Sequence, residues 1–192
     1  MSRSSERTVR RVTVERLSTD AFEPYGTYVE RPRREPDWVA SGSRVMGVVE
    51  ARGTDAKIAQ LWHIGDLEFD QPVFLGSVRY YHQGFVVAEL ERHMGETQTW
   101  IATRGTSLLV VAPATQPGEE LDVERLRIFV VEPGDVLAIG RGVWMCHFLP
   151  LGSDADYVLV SARREPEQDR DLVNLARTRN LVIVADLAGT SA

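Results

Sequence analysis

The chain has 192 residues, of which 43% are hydrophobic and 26% are charged, and its formal net charge at neutral pH is -6. This composition is that of a folded globular protein, and the length suits a single domain. The negative charge argues against a nucleic-acid partner, and no apolar run approaches the roughly 18 residues of a membrane span, so a membrane is not an expected partner either.

Cys146 is the single cysteine, so an intramolecular disulfide and a thiolate metal cluster are excluded. A reducing compartment suits such a chain, and we expect a cytoplasmic protein. Residues 1–8 are polar and lack the apolar stretch of a signal peptide, so a disordered N-terminal tail is expected. Residues 9–192 are expected to form one domain, with a helical extension from about residue 164.

The first strand is predicted over Val12–Leu17, where apolar and polar residues alternate. Ser18 then caps one helical turn, which Pro24 and Gly26 bring to an end. The next segment, Arg31–Ser43, is rich in proline and charge and is expected to be a long loop.

From Arg44 onward, short segments rich in Val, Ile, Tyr, Trp and Phe are separated by glycine-bearing turns. The intervening segments are too short for the crossover helices of a parallel sheet, so an all-β sandwich or barrel is predicted. The predicted strands are Arg44–Ala51, Lys57–Ile64, Ser77–His82, Phe85–His93, Thr97–Thr103, Ser107–Pro113, Arg125–Val131, Val136–Ile139, Val143–Leu149 and Tyr157–Ala162.

One longer helix is predicted near the C-terminal end, over Asp169–Arg179, because Leu172, Leu175 and Ala176 recur at helical spacing. After this helix, Asn180–Leu187 returns to an apolar extended pattern, and a last strand is expected there.

Three candidate functional side chains, Glu89, Glu91 and His93, share one face of their predicted strand because side chains alternate along a strand. If this face lines the interior of a barrel, these groups need hydrogen bonds, a metal or a polar ligand to offset their desolvation. If it is the exterior, they are ordinary solvated side chains. Alternation alone leaves both interpretations open.

The spacing of Glu91, His93, Gln98 and Gly105 matches the first sequence motif of the cupin β-barrels, whose metal-binding members typically carry His, His, Glu and Gly there. The match favours the interior placement. It implies a pocket built around Glu91, His93 and Gln98.

The second cupin motif is matched by glycines at positions 134, 140 and 142, and its histidine position falls on Met145. Two motifs in register are more specific than either motif alone. The resemblance to cupins therefore extends across both halves of the predicted barrel.

A narrower resemblance rests on five segments, which are Phe22–Gly26, Glu89–His93, Thr97–Gln98, Leu109–Ala112 and Gly142–Trp144. With them the chain resembles the ureidoglycolate lyase family over roughly residues 17–163. The resemblance implies an antiparallel cupin barrel, also called a double-stranded β-helix or jelly roll, with short peripheral helices. It also implies a homodimer that splits ureidoglycolate into glyoxylate and urea during purine nitrogen salvage.

The chain departs from the family pattern after Trp144, where the family has histidine and this sequence has Met145, Cys146 and then His147. Met145 and His147 would share a face of a regular strand, and a bulge could bring His147 into the missing position. His147 is therefore a fourth candidate catalytic residue.

These residues suit acid–base cleavage of a small α-hydroxy acid amide. His93 can act as acid or base near neutral pH, Glu91 can orient it or act as the base, and Gln98 can hydrogen-bond a substrate oxygen. The substrate carboxylate calls for an arginine, and the sequence leaves Arg79 and Arg141 as alternatives.

Tyr80 and His82, two residues apart, are expected to line the pocket together with Met145. No cofactor is expected. If a divalent metal binds, its ligands would be Glu91, His93 and Gln98, with His147 recruited, and its affinity would be weak because Met145 is a soft ligand.

Three other functions stay open at this point, one of which is a metal-dependent oxygenase. A diverged cupin enzyme could catalyse an elimination, isomerisation or cyclisation in a biosynthetic pathway, because the segment around Tyr80 and the residue at Met145 both depart from the family. A cupin that binds a small ligand without catalysis is the third.

Overall fold

The structure is a computed structural model that describes residues 7–29, 44–50, 57–63, 72–162 and 170–187, with only the backbone of 44–50 and 57–63. The predicted loop Arg31–Ser43 lies outside the described residues, as do residues 1–6 of the predicted tail and the start of the predicted C-terminal extension.

Strands account for most of the described chain, which confirms the all-β class. In chain order they are β1 Thr8–Arg16, β2 Gly26–Val29, β3 Arg44–Glu50, β4 Lys57–His63, β5 Val73–Tyr80, β6 Val86–Val87, β7 Glu89–His93, β8 Gln98–Arg104, β9 Ser107–Ala112, β10 Arg127–Val131, β11 Val136–Ile139, β12 Trp144–Met145, β13 Leu149–Pro150, β14 Ala155–Ala162, β15 Arg170–Asn174 and β16 Leu181–Asp186.

The helices among the described residues are short. Helix α1 is Thr19–Phe22, and the predicted serine cap is confirmed because the Ser18 hydroxyl accepts a hydrogen bond from the Ala21 amide at 3.2 Å. Helix α2 is Leu175–Thr178, and two 3-10 turns cover Glu23–Tyr25 and Val123–Arg125. No helix in these parts of the chain is long and apolar enough to cross a membrane.

Two sheets build the barrel. The larger sheet has the strand order β15-β7-β12-β9-β10-β1-β16-β6, with β13 paired to β9, and the smaller sheet has the order β2-β11-β8-β14-β5. A separate hairpin joins β3 and β4. This pair of curled sheets is the cupin-type arrangement that the motifs predict.

Apolar residues form two clusters, one on each face of the larger sheet. The inner core lies between the two sheets and the outer core covers the opposite face of the larger sheet. The inner core includes Trp100, Leu109, Val111, Phe129, Leu137, Met145, Phe148 and Tyr157, and the outer core includes Leu90, Leu108, Val110, Ile128, Trp144, Cys146, Leu175 and Ile183.

Among the described strands, all ladders are antiparallel except the two that β1 makes. Strand β1 pairs in parallel with β10 on one side and with β16 on the other. The predicted antiparallel pairing therefore does not hold for the N-terminal strand β1. That strand begins at Thr8, four residues before the predicted start at Val12 and inside the predicted tail.

The prediction of a helix over Asp169–Arg179 is wrong for the described residues before Leu175. Residues Arg170–Asn174 form the edge strand β15, paired antiparallel with β7, and only Leu175–Thr178 is helical. Pairing with β7 satisfies the backbone groups of this segment, so tertiary context overrides the helical spacing of its leucines. The last strand, predicted over Asn180–Leu187, is confirmed as β16.

We expect Leu109→Ala to lower the free energy of unfolding by about 2–5 kcal/mol, because Leu109 is fully buried in the inner core and its truncation leaves a cavity. The matched control is Leu75→Ala, since Leu75 is 71% exposed. Urea unfolding of both variants gives the comparison. Equal losses in the two variants would contradict this assignment of the core.

Candidate active site

Strand β7 decides which side chains face the inside of the barrel. Leu90 is 1% exposed and belongs to the outer core, and Arg92, next but one along the strand, is 4% exposed. Because alternate residues point to opposite faces, Glu91 and His93 lie on the inner face. The structure therefore favours the interior interpretation that alternation alone left open.

Arg92 fixes the outer face of β7. Its Nε donates to Asp171 Oδ2 at 2.8 Å, and its Nη1 donates to the Thr115 carbonyl at 2.9 Å. Its guanidinium lies over the Trp144 ring, 4.6 Å from the ring centroid. A buried cation that is so fully bonded cannot turn inward without breaking these contacts, which holds the neighbouring residues in their orientation.

The two predicted motifs meet at this strand. Glu91 pairs directly with Met145 across the β7–β12 ladder, and Met145 belongs to the inner core. The Gly142 amide donates to the His93 carbonyl at 2.7 Å, so the turn of the second motif lies against the end of the first. Gly142 has a φ of 73°, a conformation that favours glycine.

Gln98 opens strand β8 on the same inner face as Trp100, which is part of the inner core. Its side chain is buried and its Nε2 donates to Glu96 Oε1 at 3.3 Å. The amide is thus oriented by a neighbouring carboxylate.

Glu96 is a site residue that the sequence analysis missed. It is 4% exposed, and its Oε1 lies 3.9 Å from His93 Nδ1. Ser161 Oγ lies 2.9 Å from each carboxylate oxygen, and the Ala162 amide donates to Oε2. Nothing in the local sequence signals this role, because Ser161 and Ala162 come from the distant strand β14.

Arg170 is the second missed residue. It pairs directly with His93 across the β15–β7 ladder, so both side chains project from the same face. Its Nη1 lies 3.4 Å from Glu91 Oε2, and its side chain is 44% exposed. The strand therefore brings a partly accessible guanidinium beside Glu91 and His93, at a position where the sequence analysis predicted a helix.

Tyr80 lies against the inner core, with its ring centroid 5.6 Å from Phe148 and 5.8 Å from Tyr157. Burial raises the pKa of its phenol, and the negative charge of Glu91 raises it further. Tyr80 is thus close to the candidate site and stays protonated there.

His82 does not share this position, which corrects the prediction that it lines the pocket with Tyr80. Strand β5 ends at Tyr80, and His82 follows in the connection to β6. Its Nδ1 lies 2.7 Å from the Pro150 carbonyl oxygen, and its ring packs edge-on against Phe85, which borders the outer core.

Arg79, one of the two arginines predicted for the substrate carboxylate, also lies away from the candidate site. It alternates with Tyr80, so it points to the outer face, where its Nε and Nη2 donate to the Asp156 carboxylate at 2.7 and 3.0 Å. Chiefly through these bonds, Arg79 lowers the pKa of Asp156 to about 2. Its alternative, Arg141, is half-buried in the turn between β11 and β12, beside Gly142.

His147 does not take over the position of Met145. Both Met145 and Phe148 belong to the inner core, so the chain is irregular between them and His147 is exposed. The contacts of its ring are with Tyr80, stacked at a centroid distance of 6.2 Å, and with Cys146 Sγ, 3.5 Å from Nδ1. Glu91, His93 and Gln98 thus share the inner face, while the charge of Glu91 reaches Tyr80 and the Tyr80 ring stacks on His147.

The donor set does not fit a standard metal centre. The fourth cupin position is Met145, whose thioether is 2% exposed within the inner core, and the Gln98 amide nitrogen is turned toward Glu96. Within the described part of the chain, no group of three His, Cys, Asp or Glu side chains is arranged to hold a metal ion. We therefore derive no step through a metal.

Comparison with protein families supports the same reading of the motifs. The family model described as ureidoglycolate lyase matches residues 9–184. The chain belongs to the ureidoglycolate lyase family. Membership in this family indicates a lyase enzyme.

Two curated relatives are similar over most of their length. The ureidoglycolate lyase of Brucella anthropi is 26% identical over 156 residues, covering 79% of this chain and 83% of the relative. The ureidoglycolate lyase of Pseudomonas syringae pv. tomato is 27% identical over 158 residues, with the same two coverages.

Solved structures similar to this member of the family include two sugar-nucleotide enzymes. A dTDP sugar isomerase from Desulfovibrio desulfuricans is 19% identical, with a TM-score of 0.40. The match covers 69% of this chain and 83% of the isomerase. The 3'-monoepimerase ChmJ from Streptomyces bikiniensis is 16% identical, covers 72% of this chain and 71% of its own, and has a TM-score of 0.43.

We expect Cys146 to be inert in the folded protein. The side chain is 3% exposed, and burial, with the charge of Glu91, raises the pKa of its thiol to about 12. Since the thiolate is the reactive form, a thiol reagent at about pH 8 should label native protein at least about 100-fold more slowly than urea-unfolded protein. Equal labelling rates would contradict the burial of this thiol.

Proposed function

We propose that this protein cleaves ureidoglycolate, or a closely related α-hydroxy acid amide, into glyoxylate and urea at the site formed by Glu91, His93 and Gln98. The observation that carries the proposal is the placement of Glu91 and His93 on the inner face of β7, opposite Arg170 on β15. Proton-transfer groups and a cation are thereby gathered on one face of a lyase-family barrel.

The chemistry requires two proton transfers. A base removes the proton of the substrate hydroxyl, the carbonyl of glyoxylate forms as the carbon–nitrogen bond breaks, and the ureido nitrogen leaves with the bonding electrons and takes up a proton. We assign His93 to one of these two transfers, as acid or as base. Glu91, beside it, either acts as the base or orients His93. Gln98 is assigned the hydrogen bond to a substrate oxygen.

Arg170 is proposed as the partner of the substrate carboxylate. Its side chain is 44% exposed and, within the described residues, it forms an ion pair of 3.4 Å with Glu91, while its planar fork carries further donors that suit an anion. Arg79 is engaged by Asp156 on the outer face, which leaves Arg141 as a second candidate near the end of β7. A carboxylate bound by Arg170 would lie beside His93.

The resemblance also carries finer parts of this proposal. They are a homodimeric assembly, a cytoplasmic location and a role in purine nitrogen salvage. Acid–base chemistry by the side chains named above requires no cofactor, and none is included in the proposal.

A second candidate function is a diverged reaction in the same barrel, such as an elimination, isomerisation or cyclisation. The burial of Met145, 2% exposed where the family carries histidine, favours it, as does the filling of the inner core by Trp100. The same filling is what a non-catalytic ligand-binding cupin would show. Glyoxylate release from either enantiomer of ureidoglycolate distinguishes the proposed function from both alternatives.

We expect His93→Asn to reduce kcat for glyoxylate release by about 10²–10⁴-fold, because the variant loses the proton-transfer group. The matched control is His82→Asn, whose ring lies against Phe85 and the Pro150 carbonyl, away from the site. Coupled detection of glyoxylate measures both. An unchanged kcat in the His93 variant would remove His93 from the mechanism.

We expect Arg170→Ala to raise KM for ureidoglycolate by about 10–100-fold, the effect of losing charge-assisted hydrogen bonds to a carboxylate. Arg79→Ala is the control, because its guanidinium pairs with Asp156 on the outer face, and its KM should stay within about twofold of wild type. Steady-state kinetics decide the matter. A larger effect at Arg79 than at Arg170 would overturn the assignment.

A further inference from the structure

Glu96 is a buried charged residue to which the proposed mechanism gives no role. Glu96 is 4% exposed, and a carboxylate taken out of water is costly unless hydrogen bonds and charge compensate it. The turn between β7 and β8, where Glu96 lies, joins the strand of His93 to the strand of Gln98. Its carboxylate is therefore placed between the two candidate functional side chains.

The two oxygens of Glu96 have different surroundings. Oε2 accepts from the Ala162 amide, a backbone donor whose position is set by strand β14. Oε1 accepts from Gln98 Nε2 at 3.3 Å and lies 3.9 Å from His93 Nδ1. Ser161 Oγ lies within 2.9 Å of both. Both oxygens are thus held by strand β14, and Oε1 also faces Gln98 and His93.

The distance of 3.9 Å between Glu96 Oε1 and His93 Nδ1 is within ion-pair range. Hydrogen bonds of catalytic groups are often long without substrate and tighten when it binds. A carboxylate that faces Nδ1 selects the neutral tautomer with its proton on Nδ1, and in that tautomer Nε2 is the ring nitrogen that accepts a proton. It also stabilises the positive charge that appears on the ring when Nε2 is protonated.

We propose that Glu96 is a positioning residue that fixes the tautomer of His93 and the orientation of the Gln98 amide. This inference rests on the proposed function for the catalytic role of His93, and extends it to a residue that acts through its neighbours. Glu96 links strand β14 of the smaller sheet to strand β7 of the larger one. The geometry of the proton-transfer group is thus set by both sheets of the barrel.

The variant Glu96→Gln gives a sharp test. The Ala162 amide requires an acceptor, so the new side chain should place its carbonyl oxygen at the position of Oε2. Its NH₂ group then occupies the position of Oε1 and presents a donor to His93 Nδ1. The neutral imidazole should change tautomer in response, with the proton on Nε2 and Nδ1 accepting.

The tautomer of His93 can be read directly by nitrogen-15 NMR of the four ring systems in this chain, assigned with the His93→Asn variant. We expect the Nδ1–H tautomer in the wild type and the Nε2–H tautomer in Glu96→Gln. The Nε2–H tautomer in the wild type, or an unchanged tautomer in a folded Glu96→Gln, would overturn the proposal. If Glu96→Gln does not fold, the tautomer of the wild type alone decides.

Ser161→Ala is the matched control, because it removes one donor to the carboxylate but keeps Glu96 itself, with Oε1 facing His93 and Oε2 bonded to the Ala162 amide. This variant should keep the wild-type tautomer of His93. A change of tautomer in Ser161→Ala would mean that a general disturbance of β14 causes the effect, which would contradict the proposal.

In kinetics, Glu96→Gln should lower kcat by about 10–100-fold and leave KM within about threefold. The NMR result needs no substrate, so absence of glyoxylate release would refute the proposed function and leave the positioning role standing.

Discussion

The alternation of side chains along β7 is the constraint on which the candidate site depends. Leu90 and Arg92 are buried on the outer face, and Arg92 is held there by Asp171, Thr115 and the ring of Trp144. Once these two residues are fixed on the outer face, Glu91 and His93 must point to the inner face, because the side-chain period of a strand is two. A one-residue slip of β7 would bury Glu91 in the outer core and turn Leu90 toward the inner face.

The site lies where the polar inner face of β7 and β15 meets the apolar inner core. Met145 and Trp100 fill the barrel beside it, at 2% and 5% exposure, so the polar groups have a water-poor environment on one side. Electrostatic interactions are stronger in such surroundings than in water. The charges of Glu91, Glu96 and Arg170 therefore act on His93 and on a bound anion more strongly than the same charges would on an open surface.

The sequence predicted the class of fold and the shared face of Glu91 and His93, because both depend on local signals. Alternation located the strand of Glu91 and His93, and motif spacing related it to the turn at Gly142. Contacts between distant segments could not be predicted in this way. The helical spacing of Leu172 and Leu175 gave no sign of the pairing that makes β15 a strand, and so Arg170 was overlooked. Glu96 was missed because its partners come from β14.

Strand β1 lies between β10 and β16 and is parallel to both. The first described strand along the sequence is therefore paired with the last described one. During synthesis β1 leaves the ribosome long before Leu181–Asp186 exists, and one of its edges stays without a partner until then. The larger sheet can close only after residues 181–186 have emerged. Such long-range pairing is typical of slow folding, and it makes the newly made chain most exposed to aggregation just before β16 arrives.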